Sequence, residues 1–558
     1  MNFTIRFRYF TILGLVYSIL MIHSCHEKMD IQNVDDTLKY EHGTVIMADE
    51  VWASDYTHII YDNLYIEDAV VTIEPGTIIK LDQDASINIM SGGTLIADGS
   101  EKKKITFTRR DGKGNWKQLF FSSNSNSSDC FLDHCVFEYG GNDENYPAII
   151  YCVNSTPTIT NSIIRHSSSY GLYLEGDCNP MIFEGNEIVE NDRAPIISSL
   201  NNLGSVTDGK FTDNNTNYIE VNDGDLNVDI ELRDFGVSYM FSDDIVVRHS
   251  TLSISEGCTL AFSEEKGIHI QDSGSLIANG VEERIYFTAL EDKAGFWQGI
   301  NINSGSQCIL KNCVIEYGGS NDEYPGNLVI SSGQHTITGC IIQHSINYGV
   351  YFDSNNIIVF SNNILDDNKI APISMPVRNA FDLSGNEFKL SNRYIELRGG
   401  AQEGRIRSDT AIEDCNIPYF VTGDISIKNS SLSIASGVNL QMADGSGIEV
   451  LEGGGLMANG SAKIITITCQ APFPGAWDGI YFSPFIRQSE CYINLCRILY
   501  GGGNDERPAN IYCDNSSPSI TNCIIEESLG YGIYITGSSA PILINNTYFN
   551  NLLGPVNN

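Results

Sequence analysis

Apolar and polar residues alternate along this chain in short runs. Pro157-Thr-Ile-Thr-Asn-Ser-Ile-Ile, Pro180-Met-Ile-Phe-Glu-Gly-Asn-Glu-Ile and Asn356-Ile-Ile-Val-Phe-Ser-Asn-Asn-Ile are rich in β-branched and aromatic residues, and each is broken by Asn or Gly. Such runs recur every 22 to 27 residues. Alternation at period two over so short a span predicts strands, and no amphipathic helical pattern falls between them. A unit of about 22 residues with two or three short strands and tight turns is one coil of a parallel β-helix. Propeller blades need about 40–45 residues, more than this period supplies. Asn161, Asn312, Asn362, Asn522 and Asn545 fall in similar turn slots. Asn tolerates the left-handed conformation there and can bond to neighbouring turns, so these residues are predicted to form an asparagine ladder.

A longer period encloses the short one. Ile73-Glu-Pro-Gly-Thr returns as Ile254-Ser-Glu-Gly-Cys and Ile434-Ala-Ser-Gly-Val. Trp116, Trp297 and Trp477 follow, then Tyr139-Gly-Gly, Tyr317-Gly-Gly and Tyr500-Gly-Gly. The repeat of roughly 180 residues marks tandem units, with predicted bounds 71–251, 252–431 and 432–558, the last cut short. Residues 42–70 are predicted to cap the first coil, with Trp52, Ile59, Ile60 and Tyr61 as apolar cover. A coil shows unpaired backbone groups at an open end, so the stretch from Ile542 to Leu553 is expected to fray or to meet a partner or a second copy.

The middle unit carries Leu252-Ser-Ile-Ser-Glu-Gly, Ser273-Gly-Ser-Leu-Ile-Ala-Asn-Gly, Ile285-Tyr-Phe-Thr, Trp297-Gln-Gly-Ile, Ile315-Glu-Tyr-Gly-Gly and Tyr348-Gly-Val-Tyr. This string resembles the right-handed parallel β-helix lipoproteins of Bacteroidetes-type bacteria. The resemblance implies an all-β, single-stranded, right-handed solenoid of the pectin-lyase-like fold, about 20 coils here. It transfers architecture rather than chemistry. At the N-terminus, Arg6 and Arg8 precede an apolar run that ends in Ile22-His-Ser-Cys25. That segment resembles a lipoprotein signal peptide over 1–24, with Cys25 acylated and a flexible tether over 25–41. An outer-membrane lipoprotein, on the cell surface or facing the periplasm, is the expected location.

Removing the signal peptide leaves 31 basic residues against 70 acidic, a formal charge of −39. Such a field repels nucleic acid and anionic lipid, so membrane contact is expected only through the lipid anchor. Fourteen cysteines remain besides Cys25. Cys130, Cys308 and Cys491 match one another, as do Cys135, Cys313 and Cys496, with Cys340 and Cys523 one coil later. They alternate with apolar inward positions and are predicted to be stacked free thiols that behave as small hydrophobes. A coil spacing of about 4.8 Å is also within disulfide reach.

Catalytic signatures are scarce. Asp133-His134-Cys135 superficially resembles a pectate-lyase segment, but its counterparts are Lys311-Asn312-Cys313 and Asn494-Leu495-Cys496, so His134 is read as a turn residue. His166 and His344 share a slot that holds Glu527 in the third unit. Arg193 with Asp192, and Lys369 with Asp366 and Asp367, lack a third counterpart. The polar feature present three times is a loop: Asn142-Asp143-Glu144-Asn-Tyr-Pro, Asn321-Asp322-Glu323-Tyr-Pro and Asn504-Asp505-Glu506-Arg-Pro. Its amide and carboxylates suit Ca²⁺ or sugar hydroxyls, with Tyr139, Tyr317 and Tyr500 nearby for stacking. The plainer alternative is a solvated protrusion duplicated with its unit. With eight coils per unit the three loops would share one side of a rod, about 38 Å apart, and capture a polymer multivalently. The expected function is a non-enzymatic binding or scaffold protein whose partner is a polysaccharide. A polysaccharide lyase or hydrolase on the same fold is the alternative.

Overall fold

The computed structural model describes residues 38–179, 181–353, 357–389, 391 and 393–557. The expected signal peptide, Cys25 and most of the tether lie outside them. The chain forms two compact units, one ending at Asp225 but including Ile230–Met240, the other comprising Leu226–Asp229 and everything from Phe241. Each is a parallel β-solenoid whose strands pair with those one coil away, about 21 turns in all. α-Helix among the described residues is confined to Leu200–Leu203 and Gly400–Glu403.

In the first unit an eight-stranded face starts at Leu38–Glu41 and ends at Gly209–Lys210. Its register sets Phe107 on Phe137, Phe137 on Ile164 and Ile164 on Ile188. All four are fully buried, and the two phenylalanine rings stack at 4.7 Å. Alternation explains this: every second residue points inward, and parallel pairing puts each inward side chain on its counterpart.

The predicted asparagine ladder is displaced by one residue. Asn161, Asn312, Asn362, Asn522 and Asn545 do take positive φ, between 49° and 58°. The left-handed turn sends their side chains outward and the next residue's side chain in. The buried ladder therefore belongs to the neighbours. Ser162 N–H donates to Asn186 Oδ1 (2.9 Å), Cys340 N–H to Asn363 Oδ1 (3.0 Å) and Cys523 N–H to Asn546 Oδ1 (3.0 Å). The amide groups of Asn186, Asn363 and Asn546 donate in turn to Ile159, Ile337 and Ile520 carbonyls one coil back. In the third repeat an outer ladder forms as well, Asn545 donating to Asn522 and Asn522 to Asn494.

The fourteen cysteines among the described residues are buried free thiols. Register places Cys313 beside Cys340 and Cys496 beside Cys523, while Cys135 meets Ser162 instead. Burial pushes the Cys130 and Cys491 thiols up to about 11 and Cys513 to about 12, so these three are not poised nucleophiles.

Strand Leu38–Glu41 already pairs with Tyr56–Ile60. Residues 38–41 thus belong to the solenoid, not to the tether expected over 25–41. The first coil is plugged by aromatics: His42 lies 4.2 Å from the Trp52 ring, His58 5.3 Å from it, and His42 Nε2 sits 2.9 Å from His58 Nδ1. Trp52, Ile59 and Ile60 are buried as expected. Tyr61 is not; it points outward, donates to Glu41 at 2.7 Å and lies under Arg110. At the far end, Ile542–Ile544, Thr547–Phe549 and Gly554–Val556 each pair with the coil before, leaving Leu552 70% and Ile542 54% exposed.

Two outcomes follow from this packing. Asn363→Ala removes a buried amide that bridges coils and leaves the Cys340 N–H without its acceptor, a loss of about 1–3 kcal/mol; urea unfolding followed by tryptophan fluorescence should register it, with Asn362→Gly nearly neutral. Burial, with the neighbouring His58 second, lowers the His42 pKa to about 3, and burial lowers His58 too. Depressed histidines stay neutral when folded, whereas the unfolded chain binds protons below about 6.5, so their contribution to stability is present above 6.5 and lost as pH falls toward 3. Protection of the Tyr56–Ile60 amides, taken as exchange relative to the intrinsic rate at each pH, should fall over that window. His42→Gln should flatten the dependence, and pH-independent protection would contradict the assignment.

Candidate functional site

Each repeated loop is built on its tryptophan. Trp116, Trp297 and Trp477 are fully buried, and their indole N–H groups donate to the carbonyls of Glu138 (2.9 Å), Glu316 (2.7 Å) and Leu499 (2.7 Å). The next residues, Tyr139, Tyr317 and Tyr500, turn the chain with φ of 63–65°. A Cβ on Gly140 would come within 2.8 Å of the Trp116 ring, so the glycine after the turn is demanded by close approach. The tyrosines are used at this corner. Tyr139 stacks on His166 at 4.9 Å and Tyr317 on His344 at 5.3 Å, which accounts for the shared histidine slot. His134 also turns the chain, with φ 49°.

The polar residues of the loops mostly hold the loops together. Asp143 Oδ1 accepts from the N–H groups of Asn145 and Tyr146, Asn321 Oδ1 from those of Glu323 and Tyr324, and Asn504 Oδ1 from that of Glu506, at 2.8–3.2 Å. Asn142 donates to Asp84 and Asn504 to Asp478. Glu144, Asp322, Glu323, Asp505 and Glu506 are exposed. Among the described residues no group of three or more His, Cys, Asp or Glu side chains is arranged to hold a metal ion.

The side chain just before the loop proline does the reaching. Tyr146, Tyr324 and Arg507 fold over the outer surface of the sheet that follows. There the outward residues of successive strands form straight rows. In the first repeat the row is Asn88, Phe120, Tyr151, Tyr173, and Tyr146 packs on Phe120 (4.9 Å) and Tyr151 (5.1 Å). In the third it is Glu449, Tyr481, Tyr512, Tyr534. Arg507 lies 3.8 Å over Tyr481 and pairs with Glu449 at 2.7 Å, leaving a recess of about 50 Å³.

The second repeat differs. Its row is His269, Asn301, Val329, Tyr351; an amide and a valine stand where the other repeats carry aromatics. A groove of about 610 Å³ opens as a result, floored by this row and by Gln271, Asn303, Ser331 and Asp353, with Asp322 to Pro325 as one wall. Tyr324 leans against His269 at 5.1 Å and donates to Glu323 at 3.2 Å. Burial, then the Glu323 charge, pushes the Tyr324 phenol up; burial also raises Tyr351, against the pull of Arg398. Both phenols are therefore donors at neutral pH. Arg398 lies 4.1 Å over the Tyr351 ring and is held by Glu403, Ser374 and the Phe352 carbonyl, which fixes that edge. Among the described residues no lysine or arginine lines the groove. Of the loop residues singled out from sequence, only Asp322 and Glu323 border it. Asn301 was missed, although the signal is present: four residues after each tryptophan stand Phe120, Asn301 and Tyr481.

The loops 321–325 and 504–508, both in the second unit, do not share a side. The first delivers the chain into the sheet that starts its span at Gly326–Ile330. Seven pairings along that same sheet lead to Cys496–Leu499, from which the second loop departs. They occupy opposite edges of one sheet because the repeat holds seven turns plus one face, not a whole number of turns. The expectation of aligned loops, and multivalent capture with it, is overturned.

The family model described as right handed beta helix region matches residues 148–321 and, in a second placement, 227–388. No curated protein matches the chain. A solved PL6 family alginate lyase aligns over 87% of this chain and 98% of its own at 10% identity, with a TM-score of 0.24, a likeness too low to argue from. The family's match is carried by residues 148–388, less than half of the chain, and agrees with the parallel β-helix fold of the described residues.

Proposed function

We propose that this chain is a non-enzymatic glycan-binding protein of the cell envelope, tethered through Cys25, with the groove of the second repeat as its binding site. The observation that carries this reading is the groove itself: about 610 Å³, floored by an amide, a histidine and a tyrosine in one straight row and walled by Tyr324. Aromatic faces and amides on a rigid sheet match the alternating apolar and hydroxyl surfaces of a saccharide. Catalysis is less well supported. A lyase needs a base beside a group that neutralises the substrate's charge, and the lining offers carboxylates but no lysine, arginine or metal-ligand cluster.

Retention on a panel of immobilised polysaccharides, with release of unsaturated or reducing ends followed in parallel, tests this. Binding without product is expected, and Tyr351→Ala should weaken it about tenfold by removing one aromatic contact worth roughly 1–1.5 kcal/mol. Turnover would favour the lyase or hydrolase reading. Retention on none of the panel would remove the glycan assignment.

A further inference from the structure

Asn301 stands at the centre of the groove floor, between His269 and Val329 in register. It is only 3% exposed, and neither its Oδ1 nor its Nδ2 has a hydrogen-bond partner among the described residues. Leaving a buried amide unsatisfied costs roughly 1–3 kcal/mol. The fold does not require that cost, because the same slot holds Phe120 in the first repeat and Tyr481 in the third, each packed against its neighbours. An asparagine here is poorer than an aromatic for the solenoid and better than one for a ligand that offers both a donor and an acceptor. A hydroxyl group offers both.

The surroundings narrow the ligand further. Asp322, Glu323 and Asp353 line the groove, and no cationic side chain joins them. His269 lies 3.9 Å from Asp244. An anionic sugar would meet like charges, while the nearest cation, Arg398 over the Tyr351 ring, is already held by Glu403. The outward positions run in two parallel rows, His269, Asn301, Val329, Tyr351 and Gln271, Asn303, Ser331, Asp353, all polar but Val329. Together they cross four successive strands, spanning about 14 Å at the spacing of neighbouring strands.

Building on the glycan reading above, we propose that the groove recognises an uncharged, linear oligosaccharide lying across these strands, with the Asn301 amide hydrogen-bonding its ring hydroxyls and serving as the specificity-determining contact. A site that hydrogen-bonds a hydroxyl discriminates strongly, since its buried polar group is otherwise left unpaired.

Calorimetric titration of the full chain with three sets of oligosaccharides tests this: neutral glucan, xylan and mannan fragments, cationic chitosan fragments, and anionic alginate and galacturonate fragments. A neutral set should bind best. Asn301→Leu should lower its affinity at least tenfold, and Asn301→Tyr should abolish binding by closing the groove as Tyr481 closes its own. Both variants should melt at or above the temperature of the unaltered chain, because each removes an unsatisfied amide. Glycan binding that both variants retain within twofold would leave the glycan reading standing and overturn the role of Asn301. Preference for anionic fragments would overturn the charge argument, and a higher melting temperature without any change in binding would show that the amide contacts no ligand and overturn its role. Binding of no fragment would overturn this proposal together with the reading on which it rests.

Discussion

The structure depends on the parallel register between neighbouring coils. Backbone bonds from one strand to its counterpart a coil away place each residue on its equivalent, so one inward choice is repeated as a stack. Phe107 on Phe137, Ile300 on Leu328 and Cys313 beside Cys340 all follow from it. Corners are where stacking alone fails, since the backbone turns away from its ladder. There the buried asparagines accept from a backbone N–H one coil back and donate to a carbonyl of that same coil, which carries the hydrogen bonding through the turn. Inward cysteines fill the same stacks as small hydrophobes, and burial raises the pKa of thiols such as Cys130, Cys491 and Cys513.

The same register governs the outer surface. Because inward residues align, outward ones align too, and a sheet face becomes a set of straight rows. In the first and third repeats these rows are aromatic and close on themselves beneath Tyr146 or Arg507. In the second the row is interrupted at Asn301 and Val329, and the interruption is the groove. On the proposed reading, the binding function is a departure from the chain's own repeat, not a property that all three copies share. The loops that recur provide walls and turn geometry, while the floor differs.

Much of the fold was legible in the sequence. Alternation gave strands, the recurrence gave coils, and the shared slots of Asn161, Asn312 and Asn522 gave left-handed corners. The errors have a common physical source. Sequence shows which residues are equivalent, but not the phase at which a repeat closes on itself. A unit of seven turns plus one face moves the loop at 504–508 to the other edge of the sheet entered at Gly326. Likewise, a positive φ at Asn362 hands the inward direction to Asn363. For the site, attention to features present three times selected the loop acids, which hold their own turns, and passed over Asn301, which is informative because its counterparts are Phe120 and Tyr481.

The central claim is that the second repeat is open for a ligand because its outward row lacks two aromatics. The most direct measurement is a crystal structure of the chain soaked with a neutral oligosaccharide, at a resolution that separates ring hydroxyls from water. The account expects sugar density across the His269 to Tyr351 row, with hydroxyl oxygens within 3.2 Å of both Asn301 Oδ1 and Nδ2, a normal hydrogen-bond distance. Sugar bound elsewhere, with Tyr324 folded down over Asn301 as Tyr146 covers Phe120, would contradict it.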